Sequence, residues 1–360
     1  MKTSSATPER YAMPDPLRRT IQTALLGLVC AFEGLAAQAA ESPRFSLPVA
    51  CELGRTCFIQ HHVDIDGSSR ARDFACGTAT YNGHDGVDFR LLSAAAAHAG
   101  VSAIAPAQGR VLRVRDGMTD AFARDHGRSG IASRECGNGL VIDHGDGIET
   151  QYCHLLRGSI VVRPGDRVER GDMLGKVGYS GLADFAHLHF TIRRDGRVLD
   201  PFSGQPGGKS AAPDPSCRHG SSESVLPGNL WESGTSRKLV YRPTEIIQTG
   251  FAAAIPDWKA LERDHRSFQP AAPTAGGLVV FARAINLNDG DRLRFLVEGP
   301  NGLRVAYTAP PLGSRKAVYV AGAGKRLTAP RWASGRYLGK FEVLRNGHAV
   351  AQAAIDLMMP

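Results

Sequence analysis

Two histidines one residue apart, His187 and His189, lie in the stretch AHLHF at 186–190. The stretch continues into TIRRDG, so it reads as a β-strand that ends in a turn at Asp195-Gly196. Residues i and i+2 of a strand project from one face. The two imidazoles therefore share a surface, with Leu188 and Phe190 on the other. Such a pair suits a divalent metal, and it equally suits a polar strand face that holds no ligand. A second stretch, YNGHDGVDF, places Gly86 between His84 and Asp88. A glycine turn there lets an imidazole and a carboxylate converge. In a third stretch, TQYCHL, His154 closes an apparent strand. Four imidazoles and a carboxylate thus come from three β-segments. Two histidines and a carboxylate with one position open make the usual catalytic zinc site. An ion so held brings the pKa of water from 15.7 towards roughly 7 and polarises a scissile carbonyl. A structural site would need a fourth protein ligand. The two remaining histidines suit orienting water and stabilising an oxyanion.

The elements that must position these residues are strands. Residues 82–202 contain VSAIAPAQGRVLRV, GLVIDHG, IETQYCHL and DRVERGDMLGKVG, punctuated by Gly, Pro, Asp and Asn. No helical period runs through them, so an all-β core is expected. The polar stretch 116–135 interrupts two strand patterns and reads as a long surface loop. Residues 40–81, of mixed character, carry Cys51, Cys57 and Cys76 and are expected to pack on that core. Residues 203–237 are rich in Gly, Pro and Ser and read as a linker. In 238–360, LRFLVEGPNGLRVAY alternates Leu293, Phe295 and Val297 with Arg292 and Arg294. Asn346-Gly347 marks a second hairpin. This spacing predicts a small β-sandwich of immunoglobulin-like kind, serving as a binding or stabilising module.

The chain of 360 residues carries 43 Lys and Arg against 35 Asp and Glu, a net charge of +8. Its pI near 9.3 favours an anionic partner. The basic residues are scattered among acidic ones, so no nucleic-acid role is expected. Arg18 and Arg19 precede an apolar stretch that ends in Ala37-Gln38-Ala39. Residues 1–39 therefore read as a secretory signal peptide, leaving no stable membrane anchor after cleavage. Seven cysteines fit export: Cys30 goes with the signal, and an even set remains for disulfides. Cys136 and Cys153 flank two strands joined by a turn near Gly145-Asp146, which favours their pairing. The other four cysteines are left unassigned.

Three motifs in order, H-x-x-x-D at 84–88, Y-x-H-L at 152–155 and H-x-H at 187–189, resemble the lysostaphin-type (LytM-like) zinc metallopeptidases. That family cuts peptide cross-links in bacterial peptidoglycan. The resemblance implies a LytM-like β-sheet peptidase domain (duplicated hybrid motif) over about 82–202. It implies Zn²⁺ ligands His84, Asp88 and His189, with His154 and His187 as the catalytic pair. It further implies peptidoglycan as substrate and a periplasmic or extracellular location in the bacterial envelope. Two positions depart from the family pattern. The usual Gly-Pro before H-x-H is Phe185-Ala186, and the acidic residue often found after the following Phe is Thr191. Tyr81 and Tyr152 are candidates for a tyrosine near the oxyanion, though packing suits each. A non-catalytic regulator of other wall hydrolases is the alternative, and such adaptors lack ligand positions that this chain keeps. Asp64 to Ser69, a calcium-like turn, has Ala75 where a bidentate Glu belongs and reads as a solvated turn. His61 and His62 have no ligand spacing, and local hydrogen bonding is expected of them.

Overall fold

The computed structural model describes residues 43–126, 131–211 and 223–360. The signal-peptide reading, with Cys30 and Cys217, falls outside these residues. Residues 43–360 cluster as one compact unit.

The first part is built on strands β1 (Cys57–His61), β2 (Val87–Leu91), β3 (Ser102–Ile104), β4 (Gly109–Arg115) and β5 (Asn138–Asp143). They continue with β6 (Ile148–Leu155), β7 (Arg167–Val168), β8 (Met173–Lys176), β9 (His187–Arg194) and β10 (Arg197–Leu199). One antiparallel sheet runs β1-β2-β9-β6-β5-β4-β7, with β10 added on β9, while β3 pairs β8. Alternation on β9 sends Leu188, Phe190 and Ile192 into the core, against Phe89 and Tyr152 among others. Each such side chain, fully buried, contributes about 1.5–3 kcal/mol. The opposite face is left to His187 and His189. The expected hairpin forms from β5 and β6, and a Cys136–Cys153 disulfide ties it with Cα atoms 4.7 Å apart. A second disulfide joins Cys51 to Cys57, and Cys76 is also disulfide-bonded.

Two stretches differ from their sequence reading. Ala94–Gly100 is a helix, started by the Ser93 hydroxyl accepting from the Ala96 amide. Its alanines carry high helix propensity but no amphipathic period, so periodicity could not reveal it. The stretch 116–135 is more than surface loop. Phe122 and Ile131 are buried, and the Phe122 ring meets Tyr179 at 4.8 Å.

The second part comprises β11 (Glu245–Ala252), β12 (Gly277–Leu287), β13 (Arg292–Glu298), β14 (Arg304–Thr308), β15 (Lys316–Arg326), β16 (Gly335–Arg345) and β17 (His348–Met359). They form a three-stranded sheet, β11-β12-β15, and a four-stranded sheet, β14-β13-β16-β17. Leu278, Val280 and Ala282 of one sheet share a core with Phe295, Val297 and Phe341 of the other. The fourth strand pairs the third, so the sheets hold three and four strands. In a constant immunoglobulin domain the fourth strand joins the other sheet. Asn346 and Gly347 both take positive φ, 51° and 83°, as the tight turn between β16 and β17 requires.

The two parts meet intimately. Phe58 of β1 packs with Ile247 and Ile285, and Arg283 donates to the Leu92 carbonyl at 2.8 Å. Trp231, within the stretch read as a linker, is buried against Phe202. That part of the connector is packed rather than loose. No helix among the described residues is long and apolar enough to cross a membrane.

Candidate active site

Strand pairing brings the three motifs together. In the register of β2 and β9, Asp88 lies opposite His189, and Cys153 of β6 lies opposite His189 from the other side. His154, the next residue, leaves the ladder with φ of 65°. An imidazole-bearing residue in this left-handed region costs on the order of 1–2 kcal/mol. That turn brings its ring over His187, with centroids 4.5 Å apart.

His84, Asp88 and His189 each present one ligand atom, all within 4.8 Å of one another. His84 Nε2 is 3.2 Å from Asp88 Oδ1 and 3.3 Å from His189 Nδ1. His189 Nδ1 is 2.9 Å from the same oxygen. Ligands at about 2.0–2.2 Å from a tetrahedral zinc ion lie roughly 3.3–3.5 Å apart. The three atoms are thus spaced as zinc ligands, slightly drawn in. Protonation is set by what lies behind each ring. His84 donates Nδ1–H to the His62 carbonyl at 2.7 Å, which leaves the Nε2 lone pair facing inward. His189 Nε2 lies 3.2 Å from Asp85 Oδ1 and 3.1 Å from the Thr191 hydroxyl, so a proton held there frees Nδ1. Such backing fixes tautomer and ring orientation. Gly86 makes room for this approach, since a Cβ there would lie 2.5 Å from His189 Nε2.

His187 and His154 share one arrangement. Each donates Nδ1–H to a backbone carbonyl, of Phe185 at 2.8 Å and of Ser180 at 2.7 Å. Each therefore keeps an unprotonated Nε2. His187 turns its Nε2 toward Asp88 Oδ1, at 3.6 Å. Burial lowers the pKa of both, that of His187 to about 4, so both rings are neutral bases at physiological pH. In the metal-free protein, burial also disfavours a charge on His189. The carboxylates of Asp85 and Asp88 outweigh it and raise the pKa to about 9.

Two residues of the site were missed by sequence reasoning. His61, at the end of β1, pairs in register with Asp88 and gives its Nδ1 to Asp88 Oδ2 at 2.8 Å. It holds the second carboxylate oxygen and leaves Oδ1 for the other two histidines. Asp85 was missed as well, and it supplies the carboxylate behind His189 where the family pattern places one at Thr191. Of the tyrosines, Tyr152 is fully buried with its hydroxyl on Thr150 Oγ1, which is packing. Tyr81 is half exposed and tilts over His84, with ring centroids 4.4 Å apart.

These groups open into a cleft of about 560 Å³. Tyr81, Leu182 and Phe185 line it from the first part, with Arg124 from the stretch 116–135. Trp258 and Val318 line it from the second. The C-terminal part, through the helix Trp258–Arg263 and β15, thus forms one wall. The segment before β2 contributes His61.

Comparison with known proteins bears on residues 82–201, which match the model described as Peptidase family M23. The DD-carboxypeptidase/endopeptidase Mpg of Neisseria meningitidis serogroup B is 33% identical over 106 residues, 29% of this chain and 22% of that protein. The peptidoglycan DD-endopeptidase ShyA of Vibrio cholerae is 38% identical over 64 residues, 18% of this chain and 14% of that protein. The chain therefore spans about a fifth or less of the length of these relatives. A zinc-containing peptidase from Vibrio cholerae, solved by crystallography, is 25% identical, with 44% of this chain and 39% of that chain covered and a TM-score of 0.30. Residues 82–201, a third of this chain, are thus similar to Peptidase family M23.

Proposed function

We propose that this chain is an exported zinc metalloendopeptidase that hydrolyses peptide bonds in peptidoglycan stem peptides or cross-links. The observation that carries this reading is the convergence of His84 Nε2, Asp88 Oδ1 and His189 Nδ1 beside two further imidazoles at one cleft. His84, Asp88 and His189 would hold the ion. When bound, zinc supplies Lewis acidity, lowering the pKa of water to about 7 and polarising a carbonyl.

The chain's own residues do the rest. His154 and His187 each offer Nε2, the only ring nitrogen not committed to a carbonyl. That pair takes a proton from the attacking water and returns it to the departing amine. The protonated Nε2–H also donates to the oxygen that gains negative charge as the carbonyl becomes tetrahedral. Non-catalytic regulators of this kind lack one or more of the ligand positions, and this chain keeps all five, which favours the enzyme.

Export rests on the N-terminal basic and apolar sequence, and the disulfides are in keeping with an oxidising compartment. The basic charge would help the protein dwell on an anionic wall. The test is to incubate purified cross-linked muropeptides with the chain, with and without a chelator, and resolve products by mass. Chelator-sensitive loss of cross-linked species is expected. Intact muropeptides after incubation with zinc-loaded protein would refute the reading.

A further inference from the structure

Phe185 stands where the family pattern has glycine, and its neighbours show what the ring does. It stacks on the His187 imidazole, with centroids 4.3 Å and planes 30° apart. Its carbonyl accepts the His187 Nδ1–H. The guanidinium of Arg90, a β2 residue, lies on the same ring, 4.5 Å from its centroid. Arg90 is completely buried, so its charge must be met within the protein. Gln60 Oε1 accepts one of its N–H groups. The counter-charge is Glu262, from the helix Trp258–Arg263 of the C-terminal part. Glu262 is equally buried and also pairs with Arg283 of β12 at 2.7 Å. A cation on an aromatic face is held more strongly once desolvated. A continuous contact path therefore runs from the C-terminal sheets to the cleft.

We propose that the C-terminal sheets position His187. Arg283 pairs with Glu262, Glu262 holds Arg90, Arg90 lies on the Phe185 ring, and Phe185 sets the plane of the imidazole. Arg90, Phe185 and Glu262 are thus positioning residues. Their importance for turnover rests on the reading of His187 as one of the catalytic pair.

The charged trio would also serve simply to dock the two parts, so the test leaves it in place. Phe185→Leu keeps an apolar side chain and removes only the ring. In the full zinc-loaded chain, kcat should fall about 10- to 100-fold, as for a catalytic group displaced by about 1 Å. KM and zinc content should stay within about twofold of the parent. Phe185→Tyr, which keeps the ring, should restore kcat. The decisive readout is ¹⁵N-histidine NMR. His187 should give one sharp pair of Nδ1 and Nε2 signals in the parent and in F185Y, and a broadened or tautomer-averaged pair in F185L. An unchanged His187 signal in F185L overturns the proposal whatever the activity. If the parent cleaves no muropeptide, the functional reading fails, and the NMR comparison still decides the positioning.

Discussion

Removal of the His61 imidazole is the most informative single perturbation of the site. Its Nδ1 lies 2.8 Å from Asp88 Oδ2, and the ring is mostly buried at the edge of the cleft. A hydrogen bond to a charged group contributes about 1.5–3 kcal/mol. Loss of a group that backs a metal ligand typically costs 10–100-fold in affinity. That range equals about 1.4–2.7 kcal/mol, so the two estimates agree. His61→Ala should therefore weaken zinc binding by about 10–100-fold, because Asp88 loses the donor that holds Oδ2 away from the ion. The assay is competition against a chelating dye at fixed pH. The Tm of the metal-free variant would be recorded beside it, since the His61 ring also meets Tyr81 at 5.2 Å. Zinc affinity within about twofold of the parent, in a folded variant, would refute the reasoning.

The remaining predictions concern the ligands, the buried charges and one acid. His189→Ala should lose bound zinc and hydrolysis together. His187→Ala should keep zinc, by elemental analysis, while turnover falls about 10²–10⁴-fold. Metal loss in the second variant would show that the roles are reversed. Glu262→Ala leaves Arg90 and Arg283 buried without a counter-charge, and it should cost about 3–5 kcal/mol in urea denaturation. Asp200 is fully buried, and desolvation raises its pKa from 3.8 to about 7. The folded state then binds more protons than the unfolded state between these values. Asp200 thus lowers stability as pH rises from about 4 to 7, by up to about 1.4 kcal/mol per unit. Asp200→Asn should flatten that part of the stability–pH curve; an unaltered slope would contradict the assignment.

What could be read in the sequence was local in origin. The shared face of His187 and His189 follows from the two-residue period of a strand, and the Cys136–Cys153 link follows from a hairpin whose turn is visible. What could not be read depends on pairing between distant strands. His61 reaches Asp88 only because β1 lies beside β2 in a particular register, and the segment carrying it has no alternating pattern. Glu262 meets Arg90 across 172 residues, and a lone glutamate on a short helix carries no mark of that partner. The C-terminal sheets were read as a separate module because their sequence holds no clustered ligands. The C-terminal part instead contributes a wall to the cleft and, from the helix Trp258–Arg263, a buried carboxylate. The departure at Phe185 was legible as a departure, and its meaning came from the stacking on either side.

The central claim is tested most directly by crystals of the zinc-loaded chain, with data collected at the zinc absorption edge. The account predicts a single anomalous peak about 2.0–2.2 Å from His84 Nε2, Asp88 Oδ1 and His189 Nδ1, with His154 and His187 outside bonding distance. A peak elsewhere, or a fourth side chain bonded to the ion, would contradict it.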